Sequence, residues 1–267
     1  DIYSPQALDQ LIGTMAIGHN RYSTAGGNDL KNVQPFSVNF AFGNLALAHN
    51  GNLINAQVLR HELEAYGAIF QSTSDSEVII HLIAHSRADT LLARIIDALS
   101  QVRGAFSIVL QTDEGVIAVR DPHGFRPLCL GRLGDTYLVA SETCAFDLLG
   151  AEVVREVEPG ELVLLNDKGL TSYKPFAPVS PAMCVFEYVY FARPDSKIFG
   201  ATAVYGTRKA LGRQLAKESP VPADIVIPVP DSGVPASLGY AEGAGIPFEL
   251  GLIRNHYVGR TFIEPEQ

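Results

Sequence analysis

Apolar positions along the chain change their period several times, and each change marks an element. Residues 13–24, Gly-Thr-Met-Ala-Ile-Gly-His-Asn-Arg-Tyr-Ser-Thr, read as a strand entering a polar turn at Ala25-Gly26-Gly27-Asn28. A second strand is predicted from Phe40 to Ala48, and Asn50-Gly51-Asn52 carries the signal of a tight turn that ends it. Ile54, Val58, Leu59 and Leu63 then recur at helical spacing, with Gly67 as the stop. Ser74 and Glu77 have the spacing of a capping box in front of an apolar helix, Val78 to Ala84. Another helix is expected from Thr90 to about Val102. After it come short β segments near 104–111, 115–120, 136–141 and 161–165, separated by Gly- and Asp-containing turns. Strands, then helices, then strands again predict a layered α+β or α/β/β/α body rather than regular βαβ winding.

The rhythm changes at Lys174-Pro175-Phe176-Ala177-Pro178-Val179-Ser180-Pro181, a linker by composition. Beyond it the pattern predicts a helix near 200–218, a strand from Ala223 to Val229, a tight turn at Pro230-Asp231-Ser232-Gly233, a helix near 234–243 and a strand at 246–252. This is βαβ grammar, with a small-residue turn at the carboxyl end of a strand. Two domains are expected, 1–175 and 182–267, the second holding only part of a doubly wound sheet.

Composition narrows the function classes. Hydrophobic residues make up 47% and charged residues 18%, as in a globular protein. Lys plus Arg number 20 against 29 Asp plus Glu, and a net charge of -9 argues against non-specific binding to nucleic acid or an anionic membrane. No apolar run approaches the roughly 18 residues of a membrane span. Three cysteines make no disulfide scaffold and no metal knuckle, so a reducing cytoplasm is the expected compartment. The opening Asp1-Ile2-Tyr3-Ser4-Pro5 shows neither an initiator Met nor a signal peptide, and both ends are expected to be cut edges.

Several segments carry candidate chemistry, each beside a plainer structural use. Asn50-Gly51 can present a side-chain amide and a backbone N–H to one point, as an oxyanion hole does, or be an ordinary turn. Arg21 and Asp75 suit an amino-acid clamp, guanidinium to α-carboxylate and carboxylate to α-ammonium. Asp75 equally suits the first turn of a helix. His81 and His85 lie four apart but lack a third ligand, and a surface or core-edge role fits them better. His19 near Ser23 has no third member of a triad. Cys129, Cys144 and Cys184 read as small hydrophobes. The turn at Pro230–Gly233 can aim N–H groups at a pyrophosphate. Arg254-Asn255-His256-Tyr257-Val258-Gly259-Arg260-Thr261 is a basic stretch that either closes over an anionic substrate or is simply solvated.

Longer matches are more specific. Gly18-His19-Asn20-Arg21-Tyr22-Ser23-Thr24-Ala25-Gly26, Ala48-His49-Asn50-Gly51-Asn52-Leu53 and Thr73-Ser74-Asp75-Ser76-Glu77 closely resemble the glutaminase domain of the glutamine phosphoribosylpyrophosphate amidotransferase family. Arg120-Asp121-Pro122-His123-Gly124-Phe125-Arg126-Pro127-Leu128, the segments 140–147 and 186–196, and the last loop to Phe262-Ile263 extend the resemblance over essentially the whole chain. It implies an N-terminal-nucleophile glutaminase-type α/β/β/α sandwich followed by a partial type I phosphoribosyltransferase domain. The implied activity is hydrolysis of glutamine, with the ammonia passed through an internal channel to phosphoribosyl pyrophosphate and Mg²⁺ present, giving 5-phosphoribosylamine in de novo purine synthesis. Arg21 then holds the glutamine carboxylate and Asp75 its amino group, while Asn50 and Gly51 form the oxyanion hole. Asp231, Ser232 and Gly233 bind pyrophosphate, and Asn255, His256, Tyr257, Val258, Gly259, Arg260 and Thr261 form the flexible loop. Feedback inhibition by purine nucleotides and homo-oligomerisation are also implied.

Two departures stand against that pattern. The family's nucleophile is an N-terminal cysteine, and residue 1 here is Asp. The acidic loop that seats the ribose phosphate is also expected downstream of the last residue. The segment as it stands is therefore expected to be inactive and, with cut edges exposing apolar surface, poorly soluble. Cys184 falls where some members place the first ligand of a 4Fe–4S cluster; one thiolate does not hold a cluster. The alternatives are another glutamine-dependent amidotransferase, sharing only the front motifs, or a degenerate regulatory or scaffolding relative. Arg21, Asn50, Gly51 and Asp75 all still fit the chemistry and so favour truncation over decay.

Overall fold

The computed structural model describes residues 4–20, 29–200, 202–255 and 257. Arg21, His256 and Val258 to Thr261, all candidate site residues, lie outside them. The chain divides into two compact units, residues 1–141 with 145–184, and residues 142–144 with 185–267.

In the first unit a short helix α1 (Pro5–Leu8) precedes the hairpin β1 (Phe36–Phe40) and β2 (Gly43–Leu53). Three helices follow, α2 (Ala56–Ala65), α3 (Glu77–His85) and α4 (Leu91–Gln101). Then come β3 (Gly104–Thr112), β4 (Gly115–Arg120), β5 (Cys129–Leu133), β6 (Thr136–Ala140), α5 (Cys144–Leu149), β7 (Glu152–Glu156), β8 (Leu162–Asn166) and β9 (Gly169–Tyr173). Six strands form an antiparallel sheet in the order β1-β2-β3-β4-β8-β9, and three form a second in the order β6-β5-β7. Alternation of side chains splits the large sheet into two working faces. Leu45, Leu47, Phe106, Ile108, Leu110 and Ile117 meet Ile79, Ile83 and Ile95 of the helices in the larger core. Ala118, Val163 and Leu165 meet Leu128 and Leu130 in the smaller one. Phe146 of α5 packs over Gly131 of β5 on the small sheet. The layers are therefore α/β/β, with α5 as a short outer helix, and the mixed α/β class expected from the sequence holds.

Local readings fail at identifiable points. Asn50-Gly51-Asn52 is no turn: β2 runs straight through it, and the chain reverses at Ala41-Phe42. Residues 13–20 form no strand, and Met15 and the preceding Ile12 stay exposed, because no described strand pairs with this segment. The Ser74–Glu77 capping box does not form. Glu77 instead accepts hydrogen bonds from the N–H groups of Gln71 and Ser72 (2.8 and 2.7 Å) and from the Ser72 hydroxyl (2.6 Å). Burial pushes the Glu77 carboxyl up, but these donors outweigh it and hold it below the usual carboxylate range. Helix α4 does begin as expected, with Thr90 Oγ1 accepting the Ala93 N–H (3.2 Å).

The second unit holds a π-helical turn (Glu187–Phe191), the small hairpin β10 (Lys197–Ile198) and β11 (Thr202–Ala203), and helices α6 (Val204–Glu218) and α7 (Val234–Ala244). The strands expected at 223–229 and 246–252 are reduced to a single parallel bridge, Val226 to Phe248. Ile225, Ile227 and Val229 remain largely exposed, because no described strand pairs along either side of them.

Candidate functional site

The site grows out of the edge of β2. Ile54 N–H donates to Arg103 C=O (2.8 Å) at the end of the β2–β3 ladder, and in an antiparallel ladder every second residue faces the same partner. The even-numbered residues of β2 therefore bond toward β3, and the odd ones face away. From Gly43 to Leu47 that outer edge is covered by β1, which stops at Phe36 opposite Leu47. Beyond it two side chains take over. Gln34 Oε1 accepts the His49 N–H (2.6 Å), and Asp75 Oδ2 accepts the Leu53 N–H (2.8 Å). Between these two, the Gly51 N–H points the same way.

Gly51 has a second constraint. A Cβ there would stand 2.0 Å from the Ala105 carbonyl oxygen and 2.6 Å from His49 Nε2. Only glycine fits, because of close approach rather than turn geometry.

His49 is buried and locks the surrounding turn. Nε2 faces the Ala105 carbonyl (3.2 Å) and must donate to it, so Nδ1 accepts the Ser76 hydroxyl (2.9 Å). Gln34 Nε2 in turn donates to Ser76 Oγ (3.3 Å). Burial pushes the imidazole below its ordinary value, against the opposing pull of Asp75. A neutral histidine thereby ties β2 to the turn that carries Asp75.

Asp75 lies in the turn before α3 rather than inside the helix. It lines a cleft of about 230 Å³ with Asn52, Leu53, Gln57, Arg60 and Thr73. That is below the roughly 300–1,000 Å³ of drug-sized sites and suits a small polar ligand. Asn50 and Gly51 do not line this cleft, though they sit two and one residues before Asn52 along the same strand. Asn50 Oδ1 accepts from Arg126 Nη2 (3.1 Å) and Nε (3.4 Å). Arg126 stands in the motif Arg120–Leu128, but the sequence gives it no role, because the motif comes without a geometry to interpret it. Gln34, His49 and Ser76 were likewise silent.

In the second unit Asp231, Ser232 and Gly233 form the turn that enters α7, with Gly233 at the cap and Pro235 in the first turn. Arg254 Nη1 bonds Asp231 Oδ2 (2.7 Å), and Asn255 Oδ1 accepts the Tyr257 N–H (3.0 Å). Cys184 is half-buried, with its N–H on the Phe125 carbonyl (3.0 Å). His81 stacks near Phe70 (4.2 Å) and lies 3.6 Å from Glu77, while His85 lies against Tyr66. No group of three or more His, Cys, Asp or Glu able to hold a metal stands among the described residues. By themselves the described residues supply neither a full 4Fe–4S ligand set around Cys184 nor a carboxylate cage for Mg²⁺. None of the described helices is long and apolar enough to cross a membrane.

Known proteins match this arrangement from one end of the chain to the other. A glutamine amidotransferase domain model matches residues 19–147. Amidophosphoribosyltransferase 1, chloroplastic, of Arabidopsis thaliana is 52% identical over 268 residues, taking in 100% of this chain and 47% of its own length. The Bacillus subtilis amidophosphoribosyltransferase is 50% identical over 268 residues, 100% of this chain and 56% of its own. The solved glutamine phosphoribosylpyrophosphate amidotransferase from B. subtilis, complexed with ADP and GMP, superposes with a TM-score of 0.85 at 51% identity. That match covers 93% of this chain and 54% of the B. subtilis one. The chain thus spans about half the length of the curated relatives it matches.

Proposed function

We propose, from the premise that this chain belongs to the amidophosphoribosyltransferase family, that it carries the glutamine-binding and oxyanion-stabilising part of a glutaminase and part of a phosphoribosyl pyrophosphate site. The observation that carries the reading is the edge of β2, where Asp75, the Gly51 N–H and the Asn50 amide follow one another within four residues of strand.

In this reading glutamine lies with its α-ammonium at Asp75 and its α-carboxylate at Arg21. Asp75 already accepts the Leu53 N–H through one oxygen and keeps further lone pairs for the ammonium. When a nucleophile adds to the side-chain amide carbon, negative charge gathers on its oxygen. Donors fixed in advance stabilise that charge most, since they need no reorganisation. Gly51 N–H and Asn50 Nδ2 are those donors. Collapse expels ammonia, and hydrolysis releases glutamate. This reading gives Asp75, Arg21, Gly51 and Asn50 the binding and charge-stabilising roles and names no nucleophile.

Ammonia then displaces pyrophosphate from phosphoribosyl pyrophosphate to give 5-phosphoribosylamine. Asp231, Ser232 and Gly233 take the pyrophosphate, and Asn255, His256, Tyr257, Val258, Gly259, Arg260 and Thr261 close over it. Mg²⁺ belongs in this reading with the substrate's diphosphate rather than with a protein cage. The B. subtilis relative solved with ADP and GMP supports purine nucleotides as feedback ligands, and a homo-oligomer is carried by the family resemblance alone.

Asn50→Asp tests the glutaminase half, because the new carboxylate still accepts from Arg126 but has no N–H to give. Glutamine hydrolysis by the native gene product carrying this sequence should fall about 100- to 1,000-fold in kcat. Asp75→Asn should instead raise KM for glutamine. An Asn50→Asp protein that hydrolyses glutamine at the wild-type rate would sink the assignment.

A further inference from the structure

We infer that Arg126 is a positioning residue for the oxyanion hole: its guanidinium fixes which end of the Asn50 amide faces the substrate. The inference rests on the glutaminase reading above and adds to it the group that sets the donor.

An asparagine side chain presents an acceptor at one end and a donor at the other, and a half-turn about its last bond exchanges them. An oxyanion hole built on the wrong end repels the charge it should stabilise. Arginine resolves the ambiguity because every polar hydrogen it has is a donor and it accepts nothing. With Nη2 at 3.1 Å and Nε at 3.4 Å from one atom of Asn50, that atom is the oxygen. The Nδ2 hydrogens then point away from Arg126.

The arginine is itself held before it reaches Asn50. Its carbonyl accepts from Arg120 Nε (2.8 Å) and from the Ser107 hydroxyl (3.2 Å), and Ser107 is the β3 residue paired with Asn50. Arg120 is buried and also donates to the carbonyls of Val157 (2.7 Å) and Gly124 (3.2 Å). The Asp121 carboxylate accepts the N–H groups of Phe106 (3.2 Å), His123 (2.9 Å) and Phe125 (3.2 Å). Residues 120–126 are thus fastened to β3 and β4 at both ends of the loop. From that anchored loop the Arg126 side chain reaches across to the strand carrying Asn50 and Gly51.

The test compares Arg126→Gln, Arg126→Lys, Asn50→Asp and the Arg126→Gln/Asn50→Asp pair in the native gene product. Arg126→Gln should lower kcat for glutamine hydrolysis by at least about tenfold, part of the full loss of one oxyanion donor, with KM for glutamine within about twofold. Arg126→Lys should recover part of the rate, since an ammonium can still donate to Oδ1 without the fork geometry. The double variant should be no slower than Asn50→Asp alone, because the positioned donor is already gone. A loss that adds in full to that of Asn50→Asp, or an Arg126→Gln protein with unchanged kcat, overturns the inference while leaving the Asn50 assignment standing.

A readout independent of turnover keeps the two readings separable. The side-chain amide resonances of Asn50, identified by their absence in Asn50→Asp, should shift in Arg126→Gln and return toward wild type in Arg126→Lys. If they do not move, the inference fails whatever the activity. If they move while wild-type protein hydrolyses no glutamine, the glutaminase reading fails and the positioning contact stands.

Discussion

The two units of this chain are held together by opposite means. In the first, bulk does the work: Leu47, Ile79, Ile83, Ile95, Ile108 and Leu110 are fully buried between the large sheet and its helices. In the second, the buried apolar cluster among the described residues is only Ala192, Ile198 and Val204. Its helix pair packs through missing side chains. A Cβ on Gly212 of α6 would stand 1.9 Å from the Ala236 carbonyl oxygen of α7, and one on Gly239 of α7 would stand 1.9 Å from the Lys209 carbonyl of α6. Large side chains tolerate some loss of volume by partial collapse of their neighbours. Backbone set against backbone has nothing flexible to give. The difference therefore teaches where each unit is fragile: the first to deletion, the second to addition.

The largest expected effects come from exchanging these two insults. Leu110→Ala should destabilise the first unit by about 2–5 kcal/mol, as core truncations do. Gly212→Ala carries a helix-propensity gain of about 1 kcal/mol, but a methyl driven into a carbonyl costs about 1–3 kcal/mol or more, so the clash wins. A single melting temperature is not well defined for a chain of two units, so amide hydrogen exchange resolved by region is the right measurement. Protection should fall along β2, β3 and β4 in Leu110→Ala and along α6 and α7 in Gly212→Ala. If Gly212→Ala leaves α7 as protected as before, the glycine contact is not what joins the helices.

The same contrast explains what the sequence could reveal. The apolar periods of α3, α4, β3 and β4 are strong because each packs on a large core, and their ends fall within a residue or two of expectation. The strand expected at 223–229 has the right composition, yet a strand exists only through its partners, and here one bridge to Phe248 is what forms. Asn50-Gly51 misled for a related reason. Asn-Gly is a local signal, whereas the demand for glycine at Gly51 comes from Ala105, distant in sequence and adjacent in the sheet. Strands β1, β5, β7 and β9, the two-residue strands β10 and β11, and helices α1 and α5 have no counterpart in the sequence pattern; the first four are five residues each and the helices four and six, too short to establish a period. At the site, the resemblance supplied roles for Asn50, Gly51 and Asp75, but the contacts of Gln34, His49, Ser76 and Arg126 needed coordinates.

A smaller effect separates the units by pH. His49 is held neutral by burial, so its folded pKa lies below the ordinary 6.5 while the unfolded chain keeps the ordinary value. As pH falls below about 6.5, the unfolded state binds the proton first, and stability of the first unit should drop by up to about 1.4 kcal/mol per pH unit until the folded histidine also protonates. Above 6.5 this contribution is complete. Glu77 acts in the same direction at lower pH: its folded pKa is depressed, so its stabilisation is present above about 4.5 and lost as pH falls through the folded value. Hydrogen exchange at pH 7.5 and pH 5.5 should therefore show the first unit loosening more than the second. His49→Gln should remove most of that difference in the upper window; a slope that persists unchanged would locate the titrating group elsewhere.

The smallest effect concerns how helices begin. In the first unit α4 starts from Thr90, whose hydroxyl oxygen accepts the Ala93 N–H and satisfies one of the donors a helix leaves open at its start. In the second unit α6 starts from Ala203 with no side-chain cap, though Ala203 has the extended backbone that an N-cap adopts, with φ -70° and ψ 125°. Thr90→Ala should cost about 1 kcal/mol at the head of α4, and Ala203→Asp should gain a comparable or smaller amount at the head of α6. Aspartate adds a second favourable term there, because its negative charge faces the positive end of the helix dipole. Exchange rates of the first-turn amides of the two helices should move in opposite directions between these variants. If Ala203→Asp leaves α6 unchanged, its start is held by packing at the buried Val204 rather than by capping, and the second unit is less sparing of side-chain contacts than its glycine-lined helix pair implies.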